Sequence, residues 1–130
     1  MPGVGRVTRE IAVGAEPGDT PLRQALLVRA MFEVLRAADT PQPPASVLQQ
    51  VRMRVPLTPV ETSKNPSGYE RFDTFLRWAS SWAAAVGWMA KRGGWLLTDA
   101  GVEALETITD DEELYRTLTR RYRQVNRARK

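Results

Sequence analysis

The sequence predicts an α+β domain that is mainly helical, and three observations carry that expectation. Apolar residues recur at helical spacing in five separate stretches. One short segment places a glycine turn between two apolar runs, the pattern of a two-stranded hairpin. Hydrophobic residues at 42% and charged residues at 26% of 130 positions suit one compact core and exclude both wholesale disorder and a fibrous repeat.

Taken in order, residues 1–19 hold Gly3, Gly5, Gly14, Pro17 and Gly18 without a sustained apolar period. They read as a flexible arm whose Arg6 and Arg9 either reach a ligand or stay in solvent. Thr20 and Pro21 form an N-cap followed by proline at the first helical position, where its missing N–H costs nothing. A helix follows to about Ala38, with Leu22, Ala25, Leu26, Met31, Phe32 and Leu35 inward and Arg23, Gln24, Arg29 and Glu33 outward. A proline-rich break precedes a shorter helix over Ala45 to Arg54, burying Val47, Leu48 and Val51. Residues 56–68 contain three prolines and predict a long loop.

Tyr69 to Val86 is the strongest helical stretch. Steps of 100° group Phe72, Phe75, Leu76, Ala79, Trp82, Ala83 and Val86 on an inner face, and Gly87 suits the left-handed residue that ends such a helix. Trp88 to Lys91 and Trp95 to Thr98 then flank the turn Arg92-Gly93-Gly94 as a hairpin. Thr98 or Asp99 caps a helix through Val102, Ala104, Leu105 and Ile108. A last helix from about Asp110 carries acids at its start and arginines at its end, complementing the helix dipole, with an apolar seam of Leu114, Tyr115, Leu118, Tyr122 and Val125.

Helix, helix, loop, long helix, hairpin, helix is the order of a winged helix-turn-helix, in which the third helix is presented and the hairpin is the wing. The expected organisation is an arm over 1–19, a winged-helix domain over 20–109 with a two-stranded wing, and an extra C-terminal helix or linker over 110–130. Having neither Cys nor His, the chain lacks thiolate and imidazole ligands, a cysteine nucleophile and the usual general base. A recognition domain rather than an enzyme is expected, with no cofactor and no metal. The acids Asp110, Asp111, Glu112 and Glu113 lie consecutively at a helix start, where capping accounts for them better than a nuclease centre does.

The stretch FDTFLRWASSWAAAVGWMAKRGGWLLTDAGVEAL resembles the winged-helix domain at the N-terminus of Mrr-type (type IV) restriction proteins. The shared features are Trp78-Ala79, the exit Ala85-Val86-Gly87-Trp88, and the run Gly94-Trp95-Leu96-Leu97-Thr98-Asp99-Ala100-Gly101. The likeness is clearest over residues 66–105 and fainter over 20–65. In such proteins the domain precedes a separate nuclease or motor domain, so the resemblance implies a recognition module for double-stranded DNA with a covalently linked catalytic partner, methylated cytosine being the candidate target.

Candidate DNA-binding residues follow from this arrangement. Lys64, Asn65 and Ser67 precede the presented helix, where backbone N–H groups and the positive helix end also favour phosphate; a solvated polar loop is the alternative. Arg71, Thr74, Arg77 and Ser81 occupy its outward side, and an arginine there can clamp guanine O6 and N7. Glu70 and Asp73 share that side and are repelled by phosphate unless they accept from a cytosine amino group. Lys91 and Arg92 at the wing tip suit the adjacent minor groove or its phosphates. All four tryptophans fall between positions 78 and 95. Packing explains most of them, while Trp78 or Trp88 at a margin can stack on a base or meet a cytosine methyl.

The net charge of +4 resides in residues 1–98, because seven acids in 99–115 and seven bases in 116–130 cancel. The start lacks a secretory apolar core and no run approaches the roughly 20 apolar residues that span a bilayer, so a cytoplasmic protein with no membrane partner is expected, as a monomer or weak dimer. Two other functions fit the same elements. One is a dimeric winged-helix transcriptional regulator, with the terminal helix as dimer seam; the other is a protein-interaction winged helix.

Overall fold

The computed structural model describes residues 21–129. The expected arm over 1–19, with Arg6 and Arg9, and the expected cap Thr20 lie outside the described residues. Six helices and one two-stranded sheet follow in the order α1 (Pro21–Arg36), α2 (Pro44–Arg54), α3 (Pro59–Thr62), α4 (Arg71–Ala85), β1 (Met89–Ala90), β2 (Leu96–Leu97), α5 (Asp99–Thr107) and α6 (Asp111–Ala128). The protein is therefore mainly helical with a small antiparallel sheet, as the apolar periods predict.

Helix α1 is the centre of the core rather than a one-sided surface helix. It touches α2, α4, α5, α6 and β2, and Ala25, Leu27, Val28, Ala30, Met31, Phe32, Val34 and Leu35 are all buried. Leu22, expected inward, is 61% exposed at the helix start. Arg23 and Arg29, expected in solvent, turn to internal partners. Arg29 reaches the carbonyls of Leu105 and Ile108 at the end of α5, where unpaired carbonyls favour a cation. Its Nε also lies 2.5 Å from Asp111 Oδ1, an ion pair rather than an aligned hydrogen bond.

The stretch 56–68, expected as plain loop, contains α3. Thr58 and Glu61 form a capping box, each side chain bonding the other's backbone N–H, and Pro59 sits at the first helical position. The same Glu61 carboxylate, 2% exposed, accepts from Arg23 Nε at 2.9 Å and Nη2 at 2.7 Å. That bidentate pair raises the Arg23 pKa, chiefly through the hydrogen bond, and pins the α2–α4 connection to α1.

Helix α4 starts at Arg71, two residues later than expected, because Tyr69 and Glu70 belong to a small loop closed by the Lys64–Glu70 bridge and the Arg71 N–H to Ser63 carbonyl bond. At its other end Gly87 adopts φ 89°. Gly87 N–H donates to Ala84 and Trp88 N–H to Ala83, the paired bonds of a Schellman ending that turns the chain into the hairpin.

Strands β1 and β2 are two residues long, shorter than the four-residue arms expected, and pair Met89 with Leu97 and Ala90 with Leu96. The turn needs Gly93 at φ 75° and Gly94 at φ 131°. Gly94 also lets the backbone of Gln42 approach, since a Cβ there would lie 3.0 Å from Gln42 N and O. Gln42 and Trp95 exchange backbone bonds of 2.9 and 2.8 Å, extending the hairpin by an isolated bridge. Thr98 caps α5 through the Gly101 N–H, as expected, and its hydroxyl donates to Gly87 carbonyl at 2.6 Å. Gly101 itself admits no side chain, because a Cβ would lie 2.2 Å from Trp88 O.

Asp110 caps α6 by accepting from Glu113 N–H. The seam of α6 packs inside this domain, against α1 and α4, with Leu114 and Leu118 fully buried; truncating either to alanine should cost about 3 kcal/mol. Edge-on rings pair Phe75 with Tyr115, and Trp82 meets Tyr122, each at about 6 Å. Equal seven-residue steps on both helices mean that α4 and α6 lie side by side in the same sense. Among the described residues no helix is long and apolar enough to cross a membrane.

Candidate nucleic-acid interface

The inner face of α4, formed by Phe72, Leu76, Ala79, Ser80 and Ala83, is buried, which leaves the opposite face outward. In the loop before it, Asn65 acts as organiser. Its Oδ1 accepts from the N–H groups of Ser67 and Tyr69, and its Nδ2 donates to Thr74 Oγ1 at 2.8 Å. Asn65 and Thr74 are thus committed mainly to holding the loop on α4, one amide hydrogen of Asn65 remaining. Lys64 and Ser67 are exposed on that loop.

Arg71 and Trp78, seven residues apart, share one stripe of α4. Both are exposed, Trp78 at 63%. The indole stands between two clefts. One, of about 430 Å³, is lined by Gln24, Asn65, Pro66, Ser67, Arg71, Thr74, Phe75 and Trp78; the other, of about 400 Å³, by Tyr69, Asp73, Thr74, Arg77 and Trp78. Sequence reasoning missed Gln24, Phe75 and Tyr69 here. Gln24 arrives from α1, a contact no local pattern reveals, whereas Tyr69, 63% exposed, was legible as an unpatterned aromatic beside a turn. Arg77 Nε donates to Asp73 Oδ1 at 2.5 Å one turn earlier, so its charge is partly offset on the same helix.

Lys91 does not project from the hairpin. It folds back onto α4, its ammonium donating to Ser80 Oγ and Ser81 Oγ at 3.1 Å each and lying 5.5 Å from the Trp95 ring centroid. Partial burial, helped by the nearby Arg77 charge, holds its pKa below the ordinary lysine value. Arg77, Ser81 and Lys91 therefore form one cluster, while Arg92 stays exposed at the tip. Trp88 is 1% exposed and packs edge-on to Phe32, so it has no face to offer a base. Trp95 is buried as well, and of the four indoles Trp78 is the exposed one.

Most other charges near this face have partners. Arg52 pairs with Glu70 and sits over the Phe72 ring. Of the acidic run, Asp110 caps α6, Asp111 meets Arg29 and Glu113 meets Arg116; among the described residues no group of acids is placed to hold a metal ion. Tyr115 donates its hydroxyl to Gln24 Oε1 at 3.1 Å, and burial pushes its pKa up, partly opposed by Arg123. No family model, curated protein or solved structure matches this chain.

Proposed function

We propose that this domain is a winged helix that binds double-stranded DNA, with α4 as the presented helix and the β1–β2 hairpin as the wing. The observation that carries the reading is the continuity of one edge. Ser67 of the loop lines one cleft with Arg71 and Trp78 of α4, Lys91 of the hairpin bonds Ser81 one turn beyond Trp78, and Lys64 and Arg92 are exposed on the same loop and hairpin. The Gln42–Trp95 bridge supports it further, because it adds to the hairpin a third, short extended segment between the first two helices. Lys64, Arg71 and Arg92 serve phosphates, and Lys91 serves as a fixed cation where hairpin meets helix. Asn65 and Thr74 hold the loop in place for them.

On the resemblance to Mrr-type proteins, the biological role is the recognition module of a restriction or defence protein linked to a nuclease or motor domain, with methylated cytosine as the feature selected. The competing dimeric regulator needs an open seam on α6, but Leu114 and Leu118 are buried within this domain.

Titration of the full chain against matched unmodified, methylated and hydroxymethylated duplexes at two salt concentrations tests the proposal. Affinity should fall steeply with salt, by about 0.9 in the log–log slope for each phosphate contact. A flat salt response rejects DNA binding through this edge; equal affinity for all three duplexes rejects modification readout alone.

A further inference from the structure

Trp78 is an exposed indole on a helix whose other large apolar side chains pack inward, and with Tyr69, equally exposed and lining the adjoining cleft, it forms an exposed aromatic patch rather than a lone apolar residue. Trp78 lines the loop-side cleft together with the half-buried Phe75 ring. Several hydrogen-bonding groups there lack a partner among the described residues. Gln24 accepts from Tyr115 through Oε1, which leaves its NH₂ as donor; Asn65 retains its second amide hydrogen; the Ser67 hydroxyl and the Arg71 guanidinium bond nothing else described. Two aromatic rings, uncharged donors and one exposed cation line a volume of about 430 Å³, inside the roughly 300–1,000 Å³ range of small-molecule sites.

A base kept in a duplex presents only its edge in the groove, and an edge contact leaves such a cleft empty. A base outside the stack offers a flat π-face to an indole and its pairing edge to amide and hydroxyl groups. Its 5′ or 3′ phosphate then lies beside Arg71, which has no partner among the described residues and to which the Lys64 loop is close in sequence. We infer that the cleft between Trp78 and the 65–67 loop is a binding site for a single unpaired nucleobase, stacked on the indole, faced by Gln24, Asn65 and Ser67, with its phosphate on Arg71. The inference rests on the DNA-binding reading and deepens it, because the interface then takes one nucleotide out of the duplex instead of reading it in place.

The test compares the full chain on two mixed-sequence duplexes, one fully paired and one with a single unpaired nucleotide, at fixed salt. The bulged duplex should bind about tenfold tighter, within the range that one stacked base supplies. Trp78→Ala should erase that ratio, and Trp78→Phe should keep most of it, both variants retaining the wild-type circular dichroism because the side chain is at the surface. Equal wild-type affinity for both duplexes overturns the inference while leaving duplex binding intact. So does a ratio that survives Trp78→Ala, or one that Trp78→Phe loses as fully. Failure to bind either duplex overturns both readings together.

Discussion

Arg23 and Arg29 of α1 have the same formal charge as Lys64, Arg71, Lys91 and Arg92 around α4, and opposite circumstances. Arg23 is held by both carboxylate oxygens of buried Glu61, and Arg29 closes the end of α5 and meets Asp111. Arg71, Arg92 and Lys64 have no ion partner among the described residues, and Lys91 is held by two serine hydroxyls and the Trp95 ring rather than by a carboxylate. A cation bound to a buried carboxylate, as Arg23 is to Glu61, is a structural joint, because removing it strands that charge in the interior. An exposed cation without one contributes little to folding and is available to a polyanion. Net charge does not separate these cases, and pairing does.

The widest break in that comparison comes from Arg23→Ala. It leaves Glu61 buried without its cation and should destabilise the fold by about 3 kcal/mol, lowering the melting temperature by roughly 10 °C. Duplex affinity, measured well below the transition, should not change. Lost binding with an unchanged melting temperature would move Arg23 into the interface and abolish the distinction. Next in size, Gly101→Ala forces a methyl against the Trp88 carbonyl and should cost about 2 kcal/mol in a denaturant titration; a silent substitution would mean that α5 and the hairpin are not in close contact.

On the other side, Arg71→Ala combined with Arg92→Ala should alter stability by no more than about 0.5 kcal/mol and lower the log–log salt slope of duplex binding by about 2, one phosphate contact each. An unaltered slope would show that these cations touch no phosphate. The smallest expected effect is at Lys91. Its depressed pKa means that it loses its proton below the ordinary 10.5, so the affinity it supplies should fade as pH climbs toward that value. Lys91→Arg, permanently charged, should hold that share of affinity to higher pH; identical pH profiles would exclude Lys91 from binding.

What the sequence made legible was local. The proline-rich break before α2, the Gly87 exit, the Gly93-Gly94 turn, the Thr98 cap and the α6 seam each follow from residues within a turn or two of one another, and the structure has them, with α2 starting one residue earlier than expected, at Pro44. Helix α3 was also written locally, as Thr58-Pro59 with Glu61 three residues past the cap, but the surrounding prolines made the stretch read as loop. The partners of Arg23, Arg29 and Lys91 were not legible, because each is supplied by an element remote in the chain. The same holds for the site. Periodicity placed Arg71, Thr74, Arg77 and Ser81 outward and Trp78 only at a margin of the apolar face, whereas the exposure of Trp78, the return of Lys91 onto Ser81, the burial of Trp88 and the arrival of Gln24 beside Trp78 depend on how helices pack.

The bridge between Gln42 and Trp95 also bears on how the molecule opens. It ties the segment before α2 to the far strand of the hairpin, so everything from Pro43 to Gly94, including α2, α3 and α4, lies inside one backbone loop closed at its base. Closing so long a loop carries an entropic cost that local helix formation does not recover. The enclosed helices should then detach as a single cooperative unit rather than fray singly. In hydrogen exchange, the amides of Gln42 and Trp95 should exchange together, at the rate of that concerted opening.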